Sequence, residues 1–217
     1  MADIVRKEAY HQQIYEIIKK KILGGELKRG DRINEFSLAE ELEVSRSPVR
    51  EALRMLERDG ILIRGTRNDL IVNPVDREAA IGVYHLRLCL EPAAAEAGCP
   101  WVTKAVLEEL KACVEQSEQC HKERDMEGAV SSDARFHETI SRLCPNKHLR
   151  KMIDRNEVLS WALRKDEFVK FNRSEEYLSE HKGIIESLRS GDGRQTGELM
   201  RKHIIGDREF YSRCASI

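Results

Sequence analysis

The chain has 217 residues, of which 41% are hydrophobic and 35% are charged, and its net charge is −1. This length can hold two modest domains, and no apolar run approaches the roughly 20 residues that a membrane-spanning helix needs, so we expect a cytoplasmic protein with no membrane partner. The six cysteines form no Cys-x-x-Cys pair, which argues against a thiolate zinc site or a redox motif.

The first predicted elements are three helices. Apolar residues recur at helical spacing over residues 10–22, and the pair Gly24-Gly25 ends this helix. A short second helix is predicted over residues 37–42, because Ser37 and the glutamate three residues later form a capping box. The third helix follows a tight turn, with Ser45 or Ser47 as its N-cap.

Four arginines lie on one face of this third helix. They are spaced four residues apart, so each advances only about 40° around the helix axis. Val49, Leu53 and Leu56 form an apolar stripe on the other side. Such a helix can lie in a DNA groove while its apolar side packs on a small core, although a solvated helix with balancing acidic residues is the alternative. The four arginines are Arg46, Arg50, Arg54 and Arg58.

Two short apolar runs follow this helix, at residues 61–63 and 70–72, and they flank a polar segment. This pattern predicts a β-hairpin, which completes a winged helix-turn-helix. Pro74 then interrupts the chain and Asp76 can cap the next helix. We therefore place a winged helix-turn-helix DNA-binding domain at residues 1–73 and a second domain at residues 77–217.

The second domain has helical periodicity throughout and no strand pattern. The predicted fold class is therefore mostly α, an N-terminal winged helix-turn-helix followed by an all-α antiparallel six-helix bundle. Breaks rich in glycine, proline and asparagine separate the predicted helices. These helices lie near residues 76–97, 103–121, 126–143, 148–168, 174–189 and 193–212.

Four residues of the bundle have the spacing of a metal site. Asp133 and His137 lie four residues apart on one helix face. His181 and His203 each lie about eleven residues from the turn that joins their helices, so they reach the same height on antiparallel helices. Three imidazoles and one carboxylate suit a borderline divalent ion and leave coordination positions open. Each histidine alone is more often a surface residue or a hydrogen-bonded core residue.

Arg87 is the main candidate for binding an anionic effector. It lies in an apolar stretch of the first bundle helix, where an unpaired guanidinium is too costly to bury. Glu91, one turn on, can form a structural ion pair with it, and the alternative is that Arg87 binds a carboxylate ligand. Asn156 and Ser160 share the apolar side of their helix and could add polar contacts to the effector, unless the asparagine bonds to the backbone. The remaining histidines, His11, His85, His121 and His148, have no such partners.

The N-terminal third resembles the GntR family of bacterial transcription regulators. The similarity rests on Leu38-Ala-Glu-Glu-Leu42, Val44-Ser-Arg46, Pro48-Val-Arg-Glu-Ala-Leu53 and Gly60-Ile61. Phe36 stands where some members carry a polar or basic residue that touches DNA, so we assign it no DNA contact.

This resemblance implies that Arg46, Ser47 and Arg50 contact operator bases and phosphates. It also implies that the wing, around Gly65 and Thr66, reaches the minor groove. An arginine fork suits guanine O6 and N7, and serine or backbone N–H groups at a helix N-terminus suit phosphate. We therefore add two residues of the same helix start and arginine face to the candidate DNA contacts, Ser45 and Arg54.

The bundle resembles the FCD effector domain of the FadR-like branch of these regulators. Three segments look like its metal-ligand motifs, at residues 133–140, 180–185 and 200–204, and the six-helix count is similar to the VanR-like variant. The resemblance implies one divalent transition metal per chain, zinc or nickel first and manganese or iron as further options. It also implies that the metal lies at the floor of an effector pocket and that Arg87 binds the ligand carboxylate.

Together these features predict a sequence-specific transcription regulator, a repressor, that senses a small organic acid bound at a metal. One recognition helix reads only a few base pairs, so we expect a homodimer on a near-palindromic double-stranded operator. Two alternatives stay open. The metal ion itself could be the signal, or the metal could serve a hydrolase, for which no general base is identifiable.

Overall fold

The structure is a computed structural model that describes residues 10–171 and 176–214, and it divides into two compact units at residues 1–75 and 76–217. In the described ranges, every helix is too short or too polar to span a bilayer. The start of the helix predicted at residue 174 lies outside the described residues.

From residue 10 onward, the N-terminal unit contains three helices and a small antiparallel sheet, in which the third strand along the chain lies between the first two. The third helix packs on the first through residues such as Ile18, Val49 and Leu56, which are fully buried. Burying each of these side chains contributes about 1.5–3 kcal/mol. The elements are α1 Tyr10–Leu23, β1 Arg32–Ile33, α2 Glu35–Glu41, α3 Arg46–Arg58, β2 Leu62–Arg64 and β3 Leu70–Val72.

Two details of this unit differ from the sequence prediction. The capping box at Ser37 was wrong, because Asn34 caps α2 instead and accepts hydrogen bonds from the backbone N–H groups of Phe36 (2.9 Å) and Ser37 (3.2 Å). The sheet also has a third strand, β1, whose Ile33 pairs with Leu70. Two residues are too few to show the alternation that identifies a strand in a sequence.

The C-terminal unit contains six long helices in its described part, one for each predicted helix. A 3₁₀ turn at Cys99–Trp101 joins the first two, and a π-helical turn at Asp166–Lys170 extends the fourth. Capping side chains begin four of the helices, at Asp76, Thr103, Asp125 and Asn146. The helices are α4 Arg77–Gly98, α5 Lys104–Glu123, α6 Met126–Leu143, α7 Lys147–Lys165, α8 Glu176–Ser190 and α9 Gly193–Cys214.

Helix α4 lies at the centre of this unit, where it packs against α6, α7 and α9. Its approach to α9 is close. A Cβ atom at Gly193 would lie 2.8 Å from the backbone oxygen of Glu96, and one at Gly197 would lie 3.0 Å from that of Pro92. The small residues of α9 therefore allow α4 to reach the region where α6, α8 and α9 present their polar side chains.

Candidate metal centre and DNA-binding helix

The structure brings all four predicted metal ligands together. Asp133 and His137 come from α6, His181 from α8 and His203 from α9, and all four are buried. Their ligand atoms all lie within 4.8 Å of one another. The turn between α8 and α9 contains Gly191 at φ +78°, a backbone conformation that favours glycine and reverses the chain so that the two histidines meet.

The spacing within this cluster suits a single ion. The Nε2 atom of His203 lies 3.2 Å from that of His137 and 3.3 Å from that of His181. Asp133 oxygens lie 3.6 Å from His181 Nε2 and 3.9 Å from His137 Nε2. Nitrogen ligands at 2.0–2.1 Å from a tetrahedral zinc lie about 3.4 Å apart, so the four donor atoms fit around one ion with small adjustments.

Carboxylates orient two of the imidazoles. His137 Nδ1 lies 2.7 Å from Glu91 Oε2, and His203 Nδ1 lies 2.7 Å from Glu180 Oε2. When Nδ1–H donates to a carboxylate, the Nε2 lone pair points at the cluster and becomes more basic. The orienting roles of Glu91 and Glu180 were not predicted from the sequence, although Glu180 precedes His181 in the same motif.

Asp133 is held by a buried arginine that the sequence analysis also missed. Arg164 Nε donates to Asp133 Oδ2 at 2.7 Å. Burial would raise the pKa of Asp133, but His137 and Arg164 outweigh it and hold that pKa well below its usual range. Burial lowers the pKa of His137. Near pH 7 the carboxylate is thus charged and the imidazole neutral, which are the states that bind a metal.

Arg87 has the predicted ion pair with Glu91 and a second partner. Its Nε donates to Glu91 Oε1 at 2.8 Å, and its Nη1 donates to Asp207 Oδ2 at 3.2 Å. Burial would lower the pKa of Arg87, but the charge of Glu91 outweighs it and raises that pKa. Arg87 Nη2 is buried and has no hydrogen-bond partner among the described residues. One donor therefore remains for a ligand.

Asn156 and Ser160 are buried on α7 and bond to each other. The Asn156 amide donates to Ser160 Oγ at 3.3 Å, in place of the backbone bond that was the alternative for Asn156. They precede Arg164 by two turns and one turn on the same helix face. Arg164 could therefore have been identified from the sequence, because it continues the buried face that Asn156 and Ser160 share.

Among the histidines set aside, His121 has a defined partner. Its Nε2 lies 2.8 Å from the Tyr177 hydroxyl, and the Tyr177 ring packs edge-on against His181, with the two ring centroids 5.4 Å apart. His85 and His148 are exposed. His121 thus supports the packing around the metal ligands without joining them.

In the N-terminal unit, α3 presents the predicted arginine face to solvent. The side chains of Arg46, Arg50, Arg54 and Arg58 are 50–66% exposed. Ser45 is the N-cap of α3 and makes no side-chain cap hydrogen bond. Ser47 and Thr66 are exposed, and Gly65 is half-buried between the wing strands.

Glu35 contacts this arginine face, which the sequence analysis did not foresee. Its Oε1 accepts from Arg46 Nε at 3.0 Å and from Arg50 Nη2 at 2.9 Å, and its Oε2 accepts from Arg50 Nε at 3.1 Å. Arg54 pairs with Glu51 at 2.9 Å on the same helix. The arginines therefore have acidic partners in the DNA-free chain.

Comparison with known proteins identifies both units. Residues 10–72 match the model of the bacterial regulatory proteins of the gntR family, and residues 82–206 match the FCD domain. An uncharacterized HTH-type transcriptional regulator of Bacillus subtilis, YdhC, is 30% identical over 90% of this chain and 86% of its own length. The gluconate operon transcriptional repressor of the same organism is 28% identical over 82% of this chain and 74% of its own.

Solved structures share the fold. Escherichia coli McbR/YncC matches with a TM-score of 0.80 at 22% identity, and the match covers 95% of this chain and 99% of that one. A transcriptional regulator from Rhodococcus matches with a TM-score of 0.76 at 19% identity, over 94% and 97% of the two chains. The matched families and relatives are regulators, so the hydrolase alternative was wrong. The chain belongs to the GntR family of transcriptional regulators, and it joins the family's helix-turn-helix domain to an FCD domain.

Proposed function

We propose that this regulator is a repressor that senses a small carboxylate at a metal centre in its C-terminal bundle. The observation that carries the proposal is the double role of Glu91. One of its oxygens binds Arg87 and the other binds the metal-ligand residue His137. A ligand that reached both the metal and Arg87 would therefore act on one continuous ionic network. The resemblance to a repressor of the gluconate operon supports repression as the mode of regulation.

The proposed cofactor is one divalent transition metal per chain. Asp133, His137, His181 and His203 would hold it, and the ion would supply open positions for a ligand oxygen. The nitrogen-rich donor set favours zinc or nickel, with manganese or iron as further options. The charges around the cluster support a cation, because the buried arginines of the described chain, Arg87 and Arg164, are outnumbered by buried carboxylates. These carboxylates are Glu91, Asp133, Asp166, Glu167 and Asp207.

The proposed effector site uses Nη2 of Arg87, which has no hydrogen-bond partner within residues 10–171 and 176–214. A buried donor without a partner costs about 1–3 kcal/mol, and a carboxylate oxygen would satisfy it. Because Nε and Nη1 already bind carboxylates, we expect a single hydrogen bond from Nη2 rather than a two-pronged one. Asn156 and Ser160 would contribute polar contacts only if their mutual hydrogen bond opens.

The proposed DNA site is the exposed start of α3 together with the wing. Arg46, Arg50 and Arg54 would contact base edges and phosphates in the major groove. Ser45, Ser47, Gly65 and Thr66 complete the proposed contacts.

We place the homodimer contact on the exposed side of α4. Five exposed residues and the half-buried Leu90 form an uncharged stripe that is symmetric in sequence about the point between Cys89 and Leu90. If the α4 helices of two copies packed antiparallel, each Leu86 would meet Ala93 of the other copy. At the ends of the stripe, each Gly82 would meet Ala97 of the other copy. Leu86 is 45% exposed, which is unusual for a leucine on the central helix. The stripe consists of Gly82, Leu86, Cys89, Leu90, Ala93 and Ala97.

A second candidate function is sensing of the metal ion itself. Two of the three donor nitrogens of Arg87 already bind carboxylates of the protein, which favours a structural role for this arginine. In that case the ion alone would change operator affinity.

The deciding experiment compares wild type with Arg87→Met, which keeps much of the side-chain volume and removes the charge. Both metal-loaded proteins are titrated with a panel of organic acids, gluconate included, by calorimetry, and operator binding is measured with and without each acid. The proposal expects the variant to keep its metal and its DNA affinity but to lose the acid response. Unchanged acid affinity in Arg87→Met would exclude the effector site, and a DNA response to metal alone would favour the ion sensor.

A further inference from the structure

Glu35 occupies an unusual position between the two helices of the helix-turn-helix. It is the first residue of α2, directly after the N-cap Asn34, and its carboxylate reaches across to α3. One oxygen, Oε1, accepts from both Arg46 and Arg50, while Oε2 accepts only from Arg50. The side chain of Glu35 is 24% exposed, whereas both arginine side chains are at least half exposed. One sheltered acid thus holds two exposed arginines one turn apart.

The two arginines are left with different donors. Arg46 uses only Nε for Glu35, and among the described residues its two Nη groups have no other partner. Arg50 uses Nε and Nη2, so that its Nη1 is the group that remains. Recognition of guanine O6 and N7 takes two parallel donors from one guanidinium, and a phosphate or a single base acceptor needs one.

We propose that Glu35 is a positioning residue that determines operator specificity. It directs Arg46 to a bidentate contact with a guanine and limits Arg50 to a single contact. This inference rests on the proposed DNA-reading role of α3. Glu35 fixes two long side chains before DNA arrives, so less rotamer freedom is lost on binding. Its negative charge also opposes binding wherever the arginines do not find their bases, because it repels the phosphate backbone.

Other acidic residues on this surface do not have the same arrangement. Glu51 pairs with Arg54 from three residues away on the same helix, and both side chains are more than half exposed. Such a pair is weak and holds one arginine only. The Arg50 hydrogen bond lowers the pKa of Glu35, so the bridging carboxylate is charged near neutral pH.

The test compares three full-length variants with wild type. Glu35→Gln removes the charge and keeps the shape, and Glu35→Asp keeps the charge but shortens the reach. Glu40→Gln removes the same charge from an exposed position of the same helix and serves as the control. The probes are the duplex that wild type selects from a random DNA pool, the same duplex with each guanine replaced in turn, and an unrelated duplex, all at one salt concentration.

The proposal expects both Glu35 variants to lose specificity by about tenfold, measured as the ratio of affinities for the selected and the unrelated duplex. The penalty for guanine replacement should shrink at the position that Arg46 reads, and a new selection with either variant should return a more degenerate motif. Glu40→Gln should leave the ratio unchanged.

Three results would overturn this inference. If Glu35→Gln and Glu40→Gln strengthen binding to both duplexes by the same factor, Glu35 acts only as a nearby charge. If Glu35→Gln lowers the melting temperature but keeps the ratio, its role is in the stability of α2. If Glu35→Asp keeps wild-type specificity, the reach across to both arginines is irrelevant. Failure of the underlying DNA assignment looks different, because Arg46→Ala and Arg50→Ala would then bind the selected duplex as wild type does.

Discussion

At the scale of single residues, carboxylates connect the functional groups of this protein. Glu91 uses its two oxygens for two purposes, since one binds Arg87 and the other binds His137. Burial would raise the pKa of Glu91, but Arg87 and His137 outweigh it and hold that pKa well below its usual range. The residue is therefore a charged link that orients both the candidate metal ligand His137 and Arg87.

The first residue-scale prediction concerns metal content. Elemental analysis of mildly purified wild type should find about one divalent metal per chain. His203→Ala should lose most of it, because His203 Nε2 is the donor that approaches both other imidazoles within 3.3 Å. Glu180→Gln should weaken metal affinity by about 10–100-fold, since it removes the carboxylate that orients His203.

The control is His148→Ala, which changes an exposed histidine on α7. It should keep the full metal content. A variant at His148 that lost as much metal as His203→Ala would show that the ion lies elsewhere.

The second residue-scale prediction concerns DNA. Arg50→Ala should cost about 1–3 kcal/mol if the lost contact is to a base, and it should relax sequence preference at that position. The fold should stay intact, because the side chain is half exposed. Gel-shift titration at fixed salt measures the loss, with circular dichroism as the check on folding. If this variant bound the operator with wild-type affinity, the prediction that this face of α3 contacts DNA would be wrong.

At the scale of elements, close packing of α9 on α4 brings the candidate metal and effector residues together. His203 and Asp207 lie on α9, while Arg87 and Glu91 lie on α4. The two helices approach each other closely at Gly193 and Gly197, near the start of α9. A larger residue at these positions would push α9 away from α4. It would thereby separate the charged side chains that the two helices bring together.

This packing gives the third prediction. Gly193→Ala should destabilise the C-terminal unit by about 1–3 kcal/mol, because the added Cβ would lie 2.8 Å from the backbone oxygen of Glu96. Gly183→Ala is the matched control within α8. Its Cβ would meet no heavy atom of the described residues within 4 Å, so it should stabilise by about 0.5–1 kcal/mol. Urea unfolding of both variants measures the difference, and equal midpoints would contradict the close packing.

At the scale of the whole molecule, a regulator that reads DNA with one short helix gains specificity by pairing with a second copy. In the proposed homodimer, the α4 stripe would be the self-complementary surface for that pairing. Coupling between effector and operator would then be reciprocal, so that operator DNA changes effector affinity by the same factor as the effector changes operator affinity.

The fourth prediction tests the stripe. Leu86→Asp should convert the protein from dimer to monomer in sedimentation experiments, because dimer formation would desolvate the new charge without a partner. Val169→Asp introduces the same charge at a residue of similar exposure, 46% against 45%, and should leave the dimer intact. If Leu86→Asp sedimented like wild type, the proposal that the dimer contact lies on α4 would be wrong.

Sequence patterns predicted the helices and the wing that the structure has, and they also named the four candidate metal ligands that the structure brings together. These features depend on residues close in the chain, since the helical period, the caps and the pair Asp133 and His137 are set within a few turns. The two ligands on α8 and α9 were also within reach, because a short turn fixes their relative height. The two-residue strand β1 and the Asn34 cap were not predicted, because each is too short or too irregular to form a recognisable sequence pattern.

Which charged side chains meet between different helices depends on the tertiary structure. Arg164 reaches Asp133 across 31 positions of sequence, Glu91 reaches His137 across 46, and Arg87 reaches Asp207 across 120. No local period encodes such pairs, because they arise from how whole helices cross and how closely their backbones approach. The same holds for Glu35, which belongs to α2 and binds Arg46 and Arg50 of α3. Local spacing thus identified the candidate metal ligands, and helix packing placed the charges that orient them.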